Sequence, residues 1–368
     1  MHVKHIQCFD CGKIYSKDQI VFQCKCGGSL DVIYNYKEIK RKITWHLLRK
    51  RPFNHWRYRE FFPVTDNKNI ISLGEGGTPL VKSKNSDKTY FKLEGLNLTG
   101  SFKDRGTTVE ISKAREFNIK KVACASTGNM GASISAYCAR ASMKAKIFLP
   151  RNIRKTIVKQ IQVHGADIEI VRGPYAAAEE KANLEHKKTG IYLMGDYPYR
   201  GEGEKSVAYE IIDDIKPDYI FCPIGNATLI SAVWKGLKEL KICGLIKKMP
   251  KLVGVQAKGC APVVRAFNQN KEMKLVKNPK TIATAIACGY PIDGHKALKA
   301  LKECKGKAIA VSDNEILKAR RELAKKQGID AEPSGAVAYA GLKKLNLPKN
   351  KIKVVIVSGS GLKDLENV

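Results

Sequence analysis

Four cysteines near the amino terminus have the type and spacing to hold a metal. Cys8 and Cys11 are separated by two residues, Cys24 and Cys26 by Lys25 alone. Four thiolates suit tetrahedral zinc. Gly12, Gly27 and Gly28 stand beside the pairs, where tight turns around an ion need permissive backbone. The second pair is closer than the usual spacing, so an iron site or four reduced thiols in a small β hairpin remain as alternatives. So short a segment cannot bury a core, and a metal would replace one. Four thiolates would leave no open position, which makes the expected role structural.

A second chemical feature is Ser101-Phe102-Lys103-Asp104-Arg105-Gly106, at a turn ahead of a helix. A lysine there can form a Schiff base once its amine is deprotonated. Asp104 could cap the helix and Gly106 allows close backbone approach. An isolated lysine in so lysine-rich a chain is ordinarily a surface charge. Three patches rich in small residues accompany it, at 126–129, 225–228 and 358–361. Gly225-Asn226-Ala227-Thr228 opens a helix, where backbone N–H groups could hold a phosphate; the alternative is a plain helix start with Asn226 as a local cap. No G-x-G-x-x-G follows a strand and no Walker pattern occurs, so nucleotide readings are poor. The seven histidines form no HExxH or triad order.

These residues must be positioned by a run of strands and helices. Apolar runs predict strands at 89–94, 121–125, 146–149, 167–171, 219–222, 252–256, 308–311 and 353–357. Helices are predicted at 104–117, 131–140, 153–164, 175–186, after 225, and at 262–267, 314–326 and 333–342. Repeated βα units with apolar strands imply mostly parallel sheets covered by helices, the α/β class. Such sheets bind ligands at the carboxyl ends of their strands, which is where the three patches fall.

Composition bounds the rest. The chain has 368 residues, 43% of them hydrophobic, enough for a real core. No window approaches the roughly 20 apolar residues of a membrane span, and the amino terminus does not read as a signal peptide, so a cytoplasmic protein without membrane partners is expected. Lys+Arg is 66 against 35 Asp+Glu, a net charge of +31. That excess could attract nucleic acid or an anionic metabolite. Lysines occur throughout, however, and no RNA-binding aromatic strand accompanies them, so composition is the favoured reading and nucleic acid a disfavoured partner. Trp45, Phe53, Trp56, Tyr58, Phe61 and Phe62 alternate with basic residues in a linking arm at 35–70; we read it as packed against the main body, its charged heads in water. Cys124, Cys138, Cys222, Cys243, Cys260, Cys288 and Cys304 show no metal spacing and read as small buried hydrophobes.

The segment Leu98-Thr99-Gly100-Ser101-Phe102-Lys103-Asp104-Arg105-Gly106 resembles the cofactor-lysine motif of threonine synthases, members of the fold type II (tryptophan synthase β-like) pyridoxal phosphate enzymes. The resemblance continues through Ser126-Thr127-Gly128-Asn129-Met130-Gly131, Tyr199-Arg200-Gly201-Glu202-Gly203-Glu204-Lys205, Gly225-Asn226-Ala227, Ala283-Thr284-Ala285-Ile286, Glu332-Pro333-Ser334 and Ser358 to Asp364. It includes the zinc-ribbon-like front end of the archaeal type and spans essentially the whole chain. It implies two three-layer αβα domains. The unit 1–34 would be the ribbon, 71–104 with 195–368 the large domain, and 105–194 a small mobile domain. It also implies a homodimer. Lys103 would carry pyridoxal phosphate covalently and act as proton carrier. Asn129 would meet the cofactor's 3-hydroxyl oxygen, Gly225, Asn226, Ala227 and Thr228 its phosphate, and Ser358 its pyridine nitrogen. The implied substrate is O-phospho-L-homoserine, converted with water to threonine and phosphate. Ser126, Thr127, Gly128 and Asn129 would line its carboxylate pocket, and Arg200 and Lys205, with Lys155 as a weaker candidate, would meet its phosphate.

The sequence also departs from the family pattern. Thr228 and Leu229 replace a glycine and an asparagine, Ala287 an arginine, and Ser360 a histidine; Asp196 and Tyr197 replace an asparagine-containing stretch. These departures leave the cofactor secure and the substrate less so. The rivals are a related enzyme replacing the phosphate of O-phosphoserine, making cysteate or cysteine, and, in another class, a basic zinc-bearing nucleic-acid or regulatory protein.

Overall fold

The computed structural model describes residues 2–151, 153–173 and 175–364. Strands β1 (Val3–Cys8), β2 (Ile14–Tyr15) and β3 (Leu30–Tyr34) form an antiparallel sheet in the order β2-β1-β3. Ile6, Cys8, Leu30, Val32 and Tyr34 alternate inward and are buried. The linking arm follows as short helices Tyr36–Lys42 and Trp45–Arg49 and 3-10 turns at His55–Phe61. Tyr58 and Phe61 are fully buried against Tyr209, and Arg57 is paired with Asp213. The arm is packed on the body as expected, with Phe53 its one exposed aromatic ring among the six.

The body holds two further sheets. β4 (Leu80–Ser83) and β5 (Ser86–Leu93) lead into the helix Lys103–Glu116. β6 (Lys121–Ala125), β7 (Lys144–Pro150), β8 (Asp167–Val171) and β9 (Tyr192–Leu193) form a parallel sheet ordered β8-β7-β6-β9. β10 (Tyr219–Pro223), β11 (Lys251–Ala257), β12 (Lys307–Val311) and β13 (Lys353–Val357) join β5 in a parallel sheet ordered β12-β11-β10-β13-β5-β4, with β4 antiparallel at the edge. Both faces of this sheet are covered. Ile220, Cys222, Val354 and Ile356 pack in one cluster with the helix Thr228–Ile242. Phe221, Val253, Val355 and Val357 face the opposite cluster, with the helix Pro333–Lys344. The helices Asn129–Arg140 and Tyr175–Thr189 contribute to separate apolar clusters that share the strands of the smaller sheet. This is the α/β, fold type II architecture expected, with a small β unit at the front.

Sequence reading missed β4, β9 and the helices Pro198–Glu204, Ser206–Asp214 and Gly294–Glu303. Pro198–Glu204 has no amphipathic stripe because its charges point inward. Arg200, Glu202 and Glu204 are all buried, as is Lys205 just beyond. Buried charge also anchors the lysine helix. The Arg105 guanidinium is fully buried between Glu94 and Glu210, and Lys92 pairs with Glu210 as well. Asp104 accepts from the Thr99 N–H at 2.8 Å and from the Ser133 hydroxyl at 2.6 Å, fixing the loop ahead of the helix.

Candidate active site

The carboxyl ends of β6, β10 and β13 converge on one cavity, as the parallel topology requires. After β6 the chain turns through Ser126-Thr127-Gly128 into the helix Asn129–Arg140. The Ser126 hydroxyl accepts from the N–H groups of Gly128 at 3.0 Å and Gly131 at 2.8 Å. Gly128 has φ +150°, and a Cβ there would stand 2.8 Å from Ile157 Cδ1. Glycine is therefore required at this turn. After β10, Ala227 lies in the left-handed region at φ 69° and starts the helix Thr228–Ile242. The first turn of a long helix presents free N–H groups and a positive dipole end.

Phe102, Lys103, Ser126, Thr127, Asn129, Asp196, Gly225, Asn226, Ala227, Thr228, Glu332 and Ser358 line an inner chamber of about 100 Å³. It opens into an outer chamber of about 740 Å³ walled by Arg151, Arg154, Tyr175, Glu179, Tyr197, Lys277 and Tyr290. Asp196, Asn226, Thr284 and Cys288 belong to both. Sequence reading thus gathered Lys103, Asn129, Ser126, Thr127, the 225–228 turn and Ser358 around a single space. Gly128 supplies the turn between two of its walls.

Lys103 Nζ lies 3.3 Å from Glu204 Oε1 and 3.6 Å from Asp196 Oδ1. Asp196 also accepts from the Asn226 amide at 2.6 Å. Burial opposes its ionisation, but the charges of Lys103 and Arg200 outweigh burial and hold its carboxyl below the ordinary range. Asn129 is fixed from two sides, donating to Glu332 at 2.8 Å and accepting from Lys363 Nζ at 2.6 Å. Burial lowers the pKa of that lysine.

Arg200 and Lys205 do not reach the cavity. Arg200 is fully buried behind Lys103, where it pairs with Glu110 and donates to the Gly195 carbonyl at 3.1 Å. Lys205 is locked between Glu202 at 2.6 Å and Glu239 at 2.9 Å, under the Tyr34 ring. Each cation already has its anion, so neither is presented to a substrate phosphate in this structure. Lys155 is exposed at the start of the helix Lys155–Gln162 and lies outside the lining of both chambers. The cations facing the outer chamber are Arg151, Arg154 and Lys277, and Arg154 is paired with Asp364. Sequence reading also missed Asp196 and Glu204 as partners of Lys103, and Cys288 as a wall residue. Cys288 differs from the six buried cysteines of the body: it is half-buried and donates to Asn226 Oδ1 at 2.6 Å.

Two observations test whether this space fits a phosphate-bearing cofactor. The Thr228 hydroxyl is buried at the helix start beside Asp196, a donor where a phosphate would sit. A Cβ on Gly225 would stand 3.1 Å from Ile286 Cα, so a bare backbone lets this turn sit close against the 284–286 segment of the cavity wall. The donor set and the lysine opposite it fit pyridoxal phosphate. At the front end, Cys8, Cys11, Cys24 and Cys26 bring their sulfurs within 4.8 Å of one another, with Cys8–Cys26 and Cys11–Cys24 at 3.6 Å. Tetrahedral zinc with 2.3 Å bonds needs sulfurs about 3.8 Å apart. The cluster can therefore bind a metal ion.

Residues 71–359 match the model of the pyridoxal-phosphate dependent enzyme family. Threonine synthase of Methanocaldococcus jannaschii is 44% identical over 97% of this chain and 92% of its own length. The chain belongs to the threonine synthase family of pyridoxal-phosphate dependent enzymes. The Methanosarcina acetivorans threonine synthase is 39% identical over 99% of this chain and 93% of its own. Among solved structures, maize serine racemase aligns with TM-score 0.69 over 78% of this chain and 89% of that one, at 24% identity. Serine racemase from Dictyostelium discoideum aligns with TM-score 0.66 over 77% and 92%, at 24% identity. At such identity these structures speak to the shared fold.

Proposed function

We propose that this chain is a pyridoxal phosphate-dependent threonine synthase, converting O-phospho-L-homoserine and water to L-threonine and inorganic phosphate. The observation that carries the reading is the Lys103 amine standing in a cavity that also holds the Gly225–Thr228 helix start. The cofactor, when bound, supplies an electron sink for negative charge developing on the substrate.

The chain's own residues do the rest. Gly225, Asn226, Ala227 and Thr228 would hold the cofactor phosphate through the N–H groups of the helix start and the Thr228 hydroxyl. Asn129 and Ser358 orient its ring. The substrate carboxylate fits the Ser126-Thr127-Gly128 turn beside Asn129, where N–H and hydroxyl donors cluster. Arg151 and Lys277 are the cations of the outer chamber without a salt-bridge partner among the described residues, which favours them over Arg200 and Lys205 for the substrate phosphate. The Lys103 amine moves protons at the substrate carbons, and the narrow inner chamber limits water there.

Phosphate release with product identification tests this. O-phospho-L-homoserine should give threonine, and O-phospho-L-serine should react far more slowly. The reverse preference would favour the related enzyme acting on O-phosphoserine, the reading kept open by the acid Asp196 in the cavity wall. The same reading makes the cysteine cluster a structural zinc site and the protein a cytoplasmic homodimer; a monomer by light scattering would contradict the last point. No helix among the described residues is long and apolar enough to cross a membrane.

A further inference from the structure

We propose that Glu204 is the proton-holding partner of Lys103: the Lys103 ammonium passes a proton to the Glu204 carboxylate and receives it back, while Asp196 remains ionised beside them. This rests on Lys103 being the reacting amine of the proposed function. In the step, an N–H bond of Lys103 breaks and its electron pair stays on nitrogen. An O–H bond forms on Glu204. An ammonium–carboxylate pair becomes an amine–carboxylic acid pair with no change in net charge. A lysine must be neutral to attack a carbonyl or accept a proton from carbon, and burial favours the neutral pair over the charged one.

Five charged groups lie together here. The cations are Lys103 and Arg200; the carboxyls are Asp196, Glu110 and Glu204. Their separations are 3.3 Å for Lys103–Glu204, 3.6 Å for Lys103–Asp196 and 4.0 Å for Arg200–Glu204, with Arg200 in direct contact with Glu110. Three carboxylates against two cations leave one negative charge in excess in a buried place. That excess keeps a proton leaving Lys103 within the cluster, on one of the carboxyls, and hydrogen bonding chooses which. Burial raises the Glu110 carboxyl to about 7 as well, but Glu110 accepts from Arg200 and from the Gly195 N–H, bonds that favour its ionised form. Asp196 accepts from Asn226 at one oxygen, and its other oxygen, without a hydrogen bond, faces the Lys103 ammonium at 3.6 Å. Glu204 is fully buried, and its Oε2 has no partner, leaving an oxygen free to carry hydrogen.

The other elements packed on this helix add no further charge at Glu204. From the helix Thr228–Ile242, Lys235 and Glu239 are engaged with Glu202 and Lys205. From β3, Tyr34 donates to Glu202 and Asp31 pairs with Lys296. From the helix Ser206–Asp214, Glu210 is taken by Arg105 and Lys92. Burial pushes the Glu204 carboxyl up to about 7, against the opposing charges of Lys103 and Arg200.

Infrared spectroscopy of the cofactor-loaded protein, with glutamate-selective ¹³C labelling, reads the proton directly. The wild type should show a protonated glutamic acid band that titrates near neutral pH. Glu204→Gln should lose it, along with the inflection near pH 7 in kcat/KM, and kcat should fall about 100-fold. Asp196→Asn should keep the band but titrate at lower pH, because a neighbouring negative charge is gone. A wild type with no protonated glutamic acid near neutral pH, or a band that survives Glu204→Gln, overturns the proposal. If Glu204→Gln does not fold, the wild-type titration and Asp196→Asn still decide. Borohydride reduction that labels a lysine other than Lys103 would instead sink the functional reading, whatever the infrared result.

Discussion

Alanine at Gly203 should drive apart the two helices on which Lys103 and Glu204 sit. A Cβ at this position would lie 1.9 Å from the Arg105 carbonyl oxygen and 2.8 Å from Gly106 Cα. Both are backbone atoms, so no side chain can swing aside. Reaching even the 3.0 Å floor for a real Cβ contact requires a displacement of about 1.1 Å between Pro198–Glu204 and Lys103–Glu116. Overpacking of this kind costs about 1–3 kcal/mol, which for a chain of this size lowers Tm by about 1–4 °C. The larger effect should be on rate. A shift of about 1 Å in a reacting group can reduce turnover about 100-fold, and Lys103 is the first residue of the displaced helix. Gly201→Ala is the control on the same helix: its Cβ would meet only Thr228 Cγ2, at an ordinary 3.8 Å. It should keep its activity and gain a little stability from helix propensity. Steady-state kinetics and thermal melts of both variants test this. Wild-type turnover in Gly203→Ala, or equal damage in both, would refute the helix-crossing argument.

Arg151→Ala and Lys277→Ala should each raise KM for the phosphorylated substrate about 10-fold or more with little change in kcat; unchanged KM in both would remove them from the phosphate subsite. Glu204 binds a proton up to about pH 7 in the folded protein but only to about 4.5 when unfolded. Between those values the folded state holds more protons, so stability should fall as pH rises from 4.5 through 7, by up to about 3 kcal/mol. Glu204→Gln should reduce that slope in denaturant titrations at pH 5 and pH 8, leaving the part due to Glu110, which burial also raises to about 7; an unaltered slope would show that Glu204 does not titrate there. Metal analysis should find one metal ion per chain in the wild type and none in Cys24→Ser, with a lower Tm in the variant because the ion ties the two cysteine-bearing turns together. Equal Tm with and without metal would contradict a structural role.

Features whose chemistry is local in sequence were legible. The cysteine quartet declares itself because its ligands lie within one short segment, and the lysine turn because its neighbours also shape the helix start. The strands at 121–125, 167–171 and 353–357 were read to the residue, since each is a short, bounded apolar run. Charges whose partners are distant were not legible. Arg200 and Lys205 read as free cations, yet Glu110 and Glu239 neutralise them from other helices. Glu204 looked like one acid in a charged run because Lys103, its neighbour in space, is 101 residues away. The helix Pro198–Glu204 was missed for the same reason: inward charges satisfied by tertiary partners erase the amphipathic pattern that announces a helix.

Borohydride reduction of the cofactor-loaded protein, followed by peptide mass mapping, tests the central claim most directly. The account predicts a single pyridoxyl adduct, on the peptide containing Lys103, and its loss together with the cofactor absorbance band in Lys103→Ala. An adduct on another lysine, or an unmodified Lys103 in saturated protein, would contradict it.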